Sequence, residues 1–182
     1  MRAPLPGWRS GAALAVLAAV AVVGCESPAD VHSHPSPDVA FSKTGSGQLP
    51  DLARTVRQAT ARFHSTVQAT NGGYAEVSPC IAVPVLGGMG FHWGNDALVD
   101  PVFDPVNPEA VLYEPGPTGQ LHLVAVEYIV IDVGQPAPTF GGQLFDVGGT
   151  PVPVPHWSLH VWVHKHNPNG LFTPFNPAVV CP

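Results

Sequence analysis

Charged side chains are scarce in this chain, and stretches free of proline and glycine are short. Asp, Glu, Lys and Arg make up 11% of the 182 residues, against roughly a quarter in an average domain. The 22 prolines and 19 glycines exclude a coiled coil, a helical bundle and a helical repeat, because each needs long uninterrupted helices. Disorder throughout is also excluded, since disorder goes with few apolar residues and 45% of this chain is hydrophobic. The length suits one domain.

The N-terminal apolar run is too short to span a membrane. Residues 11–23 are uncharged, whereas a span takes about 20 apolar residues. Arg2 and Arg9 precede the run, and this order is typical of a signal peptide. The run ends in Val22-Val23-Gly24-Cys25, which resembles the lipobox of bacterial lipoproteins. The resemblance implies that residues 1–24 are removed and that Cys25 receives lipid; the alternative is an ordinary signal peptide with a chance cysteine.

We therefore expect a protein of the cell envelope that is held on a membrane by lipid and faces the extracytoplasmic side. Residues 25–48 are rich in Ser, Pro, Gly and Asp and are interpreted as a disordered tether. Without residues 1–24, five basic and 13 acidic residues remain, a net charge of −8. Nucleic-acid binding requires a basic patch and is therefore excluded. The sequence indicates no particular protein partner.

Two cysteines, Cys80 and Cys181, remain after lipidation. Export places them in an oxidising compartment, where a lone pair usually forms a disulfide. We expect that bond, which would tie the C-terminus to the segment after the first helix. The alternative is a pair of thiolate ligands in a metal site.

The mature chain is predicted to be one α+β domain over residues 49–182, with a long N-terminal helix packed on a mostly antiparallel sheet. Asp51 is expected to cap a helix that runs to about Ala69. Later segments predict a hairpin of residues 110–114 and 120–133, a last strand over residues 157–165, and long Pro/Gly-rich loops. The apolar face of the helix is spaced at helical period and consists of Leu52, Val56, Ala59, Phe63 and Val67.

Three stretches of the chain form a recognisable pattern, namely residues 87–93, residues 108–115 with 123–128, and residues 156–162 with 167–170 and 176–177. Together they resemble a family of small exported bacterial proteins, and the likeness covers roughly residues 50–182. The family pattern implies no activity. Its histidines correspond to His92, His156 and His160, whereas it has other residues at the positions of His164 and His166.

Nine histidines stand beside only seven lysines and arginines, and neutral imidazole is the commonest metal ligand. His156 and His160 share a strand face, but a straight strand separates them by about 13 Å, so one ion requires a bend near Pro155. His92 is expected in a Gly-rich loop, between Phe91 and Trp93. Glu127 interrupts an aliphatic strand face, and a buried carboxylate needs a partner or a metal. We predict a divalent metal, zinc or copper, at these three histidines with Glu127.

Other interpretations stay open. His164 and His166 form a His-x-His pair that is the second choice for the metal, and each histidine could instead serve only as a hydrogen-bonding residue. The protein could also be a metal-free module that binds a ligand or partner, or a metal-dependent enzyme; whether it is an enzyme is undecided. No phosphate loop, His-Glu-x-x-His or Gly-x-Ser-x-Gly motif is present. The aromatic residues available to a module are Phe91, Trp93, Trp157 and Trp162.

Overall fold

The structure is a computed structural model that describes residues 48–149 and 152–182. The predicted signal peptide, the lipidation site Cys25 and all but the last residue of the predicted tether lie outside these residues. The predicted α+β class is confirmed, because short helices accompany a mostly antiparallel sheet. In the part of the chain that is described, no helix has the length and apolarity to cross a membrane.

A single long N-terminal helix is not what the structure shows. The segment consists of α1 (Gln48–Thr60), a 3-10 turn (Ala61–His64) and α2 (Thr66–Asn71). Ser65 interrupts it in an extended conformation and caps α2, since its side chain accepts a hydrogen bond from the Gln68 N–H. Tertiary structure contributes as well, because the Tyr113 hydroxyl donates to the Phe63 carbonyl over 2.6 Å. In a continuous α-helix that carbonyl would instead accept a hydrogen bond from the backbone N–H four residues later.

The interruption changes which helical side chains reach the core. Leu52, Val56 and Phe63 are buried as the spacing predicts, and they pack with side chains of the sheet. Val67, predicted for the same face, is exposed, whereas Ala69 is fully buried. The break at Ser65 therefore changes the orientation of α2, so that the apolar face predicted from α1 does not continue through α2.

Seven strands form one sheet, and two further strands form a separate pair. The strands of the sheet are β1 (Ala75–Glu76), β2 (Ile81–Val83), β3 (Gly87–Gly94), β4 (Ala110–Pro115), β5 (Leu121–Ile131), β8 (Asp146–Val147) and β9 (His156–Val161), and the pair is β6 (Thr139–Phe140) and β7 (Gln143–Leu144). The order in the sheet is β1-β3-β4-β5-β9-β8, with β2 paired to the other end of β3. All strand pairings of this sheet are antiparallel. The predicted hairpin of β4 and β5 lies at its centre, because its strands are the most apolar and are largely buried.

A β-bulge in the central hairpin redistributes side chains between the two faces of the sheet. Leu112 pairs with Ala125 but Tyr113 pairs with Leu123, so Val124 is an extra residue on β5. Its carbonyl accepts hydrogen bonds from two consecutive N–H groups that follow β9. Leu123 consequently joins the helix-side core with Val126. Leu123 and Ala125, which simple alternation would place on one face of β5, therefore lie on opposite faces.

A disulfide and backbone hydrogen bonds hold the C-terminal segment beside β3. The Sγ atoms of Cys80 and Cys181 are 2.03 Å apart, which confirms the predicted disulfide. Gly88 and Asn176 exchange both backbone hydrogen bonds. Gly87 has a positive φ of 94°, and a Cβ there would stand 2.2 Å from the Asn176 carbonyl oxygen, so only glycine fits. The segment covers one end of the sheet face opposite the helices.

Candidate metal centre

Three strands bring two imidazoles and one carboxylate together on the sheet face opposite the helices. Glu127 of β5 and His160 of β9 are direct cross-strand partners. His92 lies on strand β3 and not in the predicted loop. It is two strands from Glu127 and reaches across β4. The β4 residue opposite Glu127 is Ala110. Its methyl group leaves space for the imidazole and the carboxylate to meet above it.

The distances between the ligand atoms of these side chains are close to those between the ligands of one metal ion. His92 Nε2 is 3.5 Å from His160 Nε2 and 3.6 Å from Glu127 Oε2. His160 Nε2 is 3.8 Å from the same oxygen. Ligand atoms of a tetrahedral zinc ion are roughly 3–3.5 Å apart, since zinc holds nitrogen and oxygen at about 2.0–2.2 Å. His92, Glu127 and His160 therefore lie close enough to hold a metal ion.

A serine determines which nitrogen of His92 carries the proton. The Ser78 hydroxyl donates to the Pro79 carbonyl over 2.9 Å. With its one proton used, its oxygen can only accept from the His92 backbone N–H, at 3.2 Å, and from Nδ1, at 3.0 Å. We infer from this network that the imidazole proton is on Nδ1. His92 Nε2 is then a bare lone pair that points toward His160 and Glu127, which is the form that binds a metal.

Burial keeps both imidazoles neutral. His92 and His160 are 8% and 7% exposed. Burial lowers the pKa of His160 to about 4, with the charge of Asp146 opposing the shift. Burial also lowers the pKa of His92, and Glu127 opposes that shift. Burial raises the pKa of Glu127, and the nearby His92 opposes it. Near neutral pH the two histidines are therefore in the ligand form.

The three side chains of this group are largely buried. Within the described residues, the ion pairs of lysine and arginine are Lys165 with Glu114 and Arg54 with Asp51. In the same part of the chain, the ion pairs of Glu127 are with the two imidazoles. A largely buried carboxylate without a cation is costly. A shared proton or a metal ion between the three groups removes this cost.

His156 does not join this group, although the sequence places it in the same site. Strand β9 pairs without interruption from His156, opposite Ile131, to Val161, opposite Val126. The bend near Pro155 that a shared ion requires is therefore missing from β9. The His156 Nδ1 instead donates to the Val154 carbonyl over 2.8 Å. Its ring packs against Gly148, where a Cβ would stand 2.0 Å from it.

The second-choice pair is also separated. His164 Nε2 contacts the Thr60 hydroxyl at 2.8 Å, and its ring meets the edge of His64. His166 is exposed, and its carbonyl accepts from the Asn176 side chain. The structure therefore pairs His164 with His64. Sequence reasoning missed both His64 and Ser78, because no local spacing relates either residue to its histidine partner.

Comparison of the chain with protein-family models, with curated proteins and with solved structures finds no match. The resemblance of the histidine pattern to a family of exported proteins therefore stays a prediction. The class of site follows from geometry: two imidazoles and one carboxylate, on three strands of one sheet, can hold a metal ion.

Proposed function

We propose that this chain is a lipid-anchored, extracytoplasmic protein that binds a divalent transition metal through His92, Glu127 and His160. The observation that carries the proposal is the convergence of their three ligand atoms at 3.5–3.8 Å. The lipobox-like Cys25 supports the anchor. The disulfide is compatible with an extracytoplasmic location.

The donor set favours zinc or copper. Imidazole suits zinc, copper, iron and nickel, whereas magnesium and calcium prefer sites made only of oxygen. Three protein ligands leave at least one position for water or an exchangeable ligand, unlike the closed four-ligand sites of structural zinc. An open site on a membrane-anchored domain suits capture or handling of an ion better than structural support.

A metal-dependent hydrolase is the second candidate. Two histidines and one glutamate with an open position are also the ligand set of several catalytic zinc sites. Two clefts on the described surface, of about 620 and 520 Å³, are lined by other residues, so neither places a substrate over the three ligands. Binding of the ion is therefore the better supported function.

The metal-free module is not favoured by the surface. Its four aromatic side chains pack against the two clusters of the core. Trp162 is buried, and its indole N–H donates to the Thr173 carbonyl. Within the described residues, the large hydrophobic side chains that are exposed are valines and leucines.

The test is a zinc titration of untagged full-length protein that carries His32→Ala and His34→Ala, which removes the N-terminal histidine pair. We expect Glu127→Gln and His160→Ala to weaken the tightest zinc site by more than about 100-fold, since even an outer partner of a ligand is worth about 10–100-fold. His166→Ala is the matched control, because that histidine is exposed. Unchanged affinity in both ligand variants would refute the proposed site.

A further inference from the structure

A second group of histidines lines a cleft of about 620 Å³ elsewhere on the domain. Three imidazoles face this cleft, together with Glu114 and Lys165, and none of the three ligands described above belongs to it. Lys165 donates to both carboxylate oxygens of Glu114, at 2.7 and 2.8 Å. These two charges neutralise each other. The Nε2 atom of His122 accepts a hydrogen bond from the Gln120 side chain over 3.0 Å, so the remaining imidazoles of the cleft are those of His64 and His164.

The protonation of His164 is determined in the same way as that of His92. The buried Thr60 hydroxyl donates to the Val56 carbonyl over 2.7 Å. Its oxygen can then only accept from His164 Nε2, at 2.8 Å, which places the imidazole proton on Nε2. Nδ1 is left as a bare lone pair on a side chain that lines the cleft. Burial lowers the pKa of His164 to about 4, with His64 and Arg57 adding to the shift.

The rings of His64 and His164 are in contact, at a spacing that suits a shared ion. The two ring centroids are 4.8 Å apart and the rings are nearly perpendicular, at 86°. A metal–nitrogen bond of about 2.0–2.1 Å puts a ring centroid about 3.2 Å from the ion, so two rings that meet at 90–110° have centroids about 4.5–5.2 Å apart. The observed centroid spacing falls within this interval, so the separation of the two rings matches that of two imidazoles on one ion.

We propose that His64 and His164 form a second metal site, which takes Cu(II) from solution and leaves its other coordination positions to water or a small ligand. Copper is the choice because nitrogen sites bind Cu(II) most tightly among divalent first-row ions. The nearby positive charge of Arg57 opposes a dication, so this site is weaker than the one at His92, Glu127 and His160. The inference rests on different residues from the proposed function and stands or falls separately.

The experiment is a Cu(II) titration of the untagged full chain that carries His32→Ala and His34→Ala, followed by electron paramagnetic resonance and by a count of bound ions. We expect two ions per chain. His64→Ala, which removes an exposed side chain and should leave the fold intact, is expected to bind one. His166→Ala is the control and is expected to bind two.

The two sites are separated by a third variant. His92→Ala with His160→Ala should retain one Cu(II) whose spectrum shows nitrogen coupling, and adding His64→Ala should abolish it. If His64→Ala binds as many ions as the parent protein, the second site is wrong, whatever the result at the first. If the His92/His160 variant loses no ion, the first site is wrong and the second is unaffected.

Discussion

The hydroxyl of Ser78 should control how well His92 binds a metal. Replacing Ser78 by alanine removes the acceptor of the imidazole Nδ1–H and of the His92 backbone N–H. The ring can then rotate, and its proton is free to move to Nε2, the atom that faces Glu127. Loss of such an outer partner lowers metal affinity by about 10–100-fold, which is about 1.4–2.7 kcal/mol.

Thermal unfolding with and without zinc measures this loss. At a zinc concentration of about 100 times the dissociation constant, the parent protein gains about 2.7 kcal/mol of stability, and at the same concentration Ser78→Ala should gain only about 0.4–1.4 kcal/mol. For a domain of this size the zinc-induced rise in Tm should fall from about 10 °C to about 5 °C or less. Isothermal titration calorimetry gives the affinities directly.

The control is Ser158→Ala. Ser158 is half-buried on β9, two residues from His160, and within the described residues its hydroxyl makes no hydrogen bond to an imidazole. This variant should keep the zinc affinity of the parent. If Ser78→Ala binds zinc within about twofold of the parent protein, or if the two serine variants behave alike, the argument that Ser78 orients His92 is wrong.

Three further predictions concern other parts of the chain. Glu109 is 2% exposed, and burial raises its pKa from 4.5 to about 8, while a hydrogen bond from the Ile129 N–H opposes the shift. The folded state therefore binds the extra proton, and stability falls as pH rises between these values. Urea titrations at several pH values measure the free energy of unfolding of the parent protein and of Glu109→Gln. Relative to the parent, the variant should gain about 1.4 kcal/mol per pH unit within that window. A difference between the two proteins that does not change with pH would contradict the raised pKa of Glu109. In unreduced, denatured protein, a thiol reagent should label neither Cys80 nor Cys181. Replacing both by alanine should lower the free energy of unfolding by up to about 4.7 kcal/mol, because the disulfide closes a loop of about 100 residues. Cys25→Ala should release the protein from the membrane fraction or leave it unprocessed while its zinc affinity is unchanged, and normal detergent partitioning of the variant would count against a lipid anchor.

Local patterns in the sequence were sufficient for much of the fold. Alternating apolar residues around a Pro-Gly-Pro-Thr-Gly turn predict the central hairpin, and β4 and β5 begin and end within two residues of the expected bounds. Helical spacing identifies Leu52, Val56 and Phe63 as core residues. The break at Ser65 escapes this reasoning, because the hydrogen bond that accompanies it is donated to Phe63 by Tyr113, which is 50 residues further along the chain.

The candidate site also combines features that the sequence predicts with features that depend on distant parts of the chain. Residue chemistry alone names histidines and an acidic residue on an aliphatic strand face as possible ligands, and it names the two cysteines as a pair. It cannot say which donors meet, since that depends on strand order and on the pairing of Glu127 with His160 across β5 and β9. A regular β9 keeps His156 apart, and the order β3-β4-β5 brings His92 within reach.

What the sequence by itself determined is the set of available groups: few charges, many imidazoles, one pair of thiols and the local spacing that makes strands and helices. Only the tertiary structure decided how those groups are used. The bulge at Val124 assigns Leu123 and Ala125 to opposite faces, and hydroxyls from distant segments set the protonation of His92 and His164. Pairing register and hydrogen bonds between remote residues are properties of the folded chain, because they exist only once non-local strands are side by side.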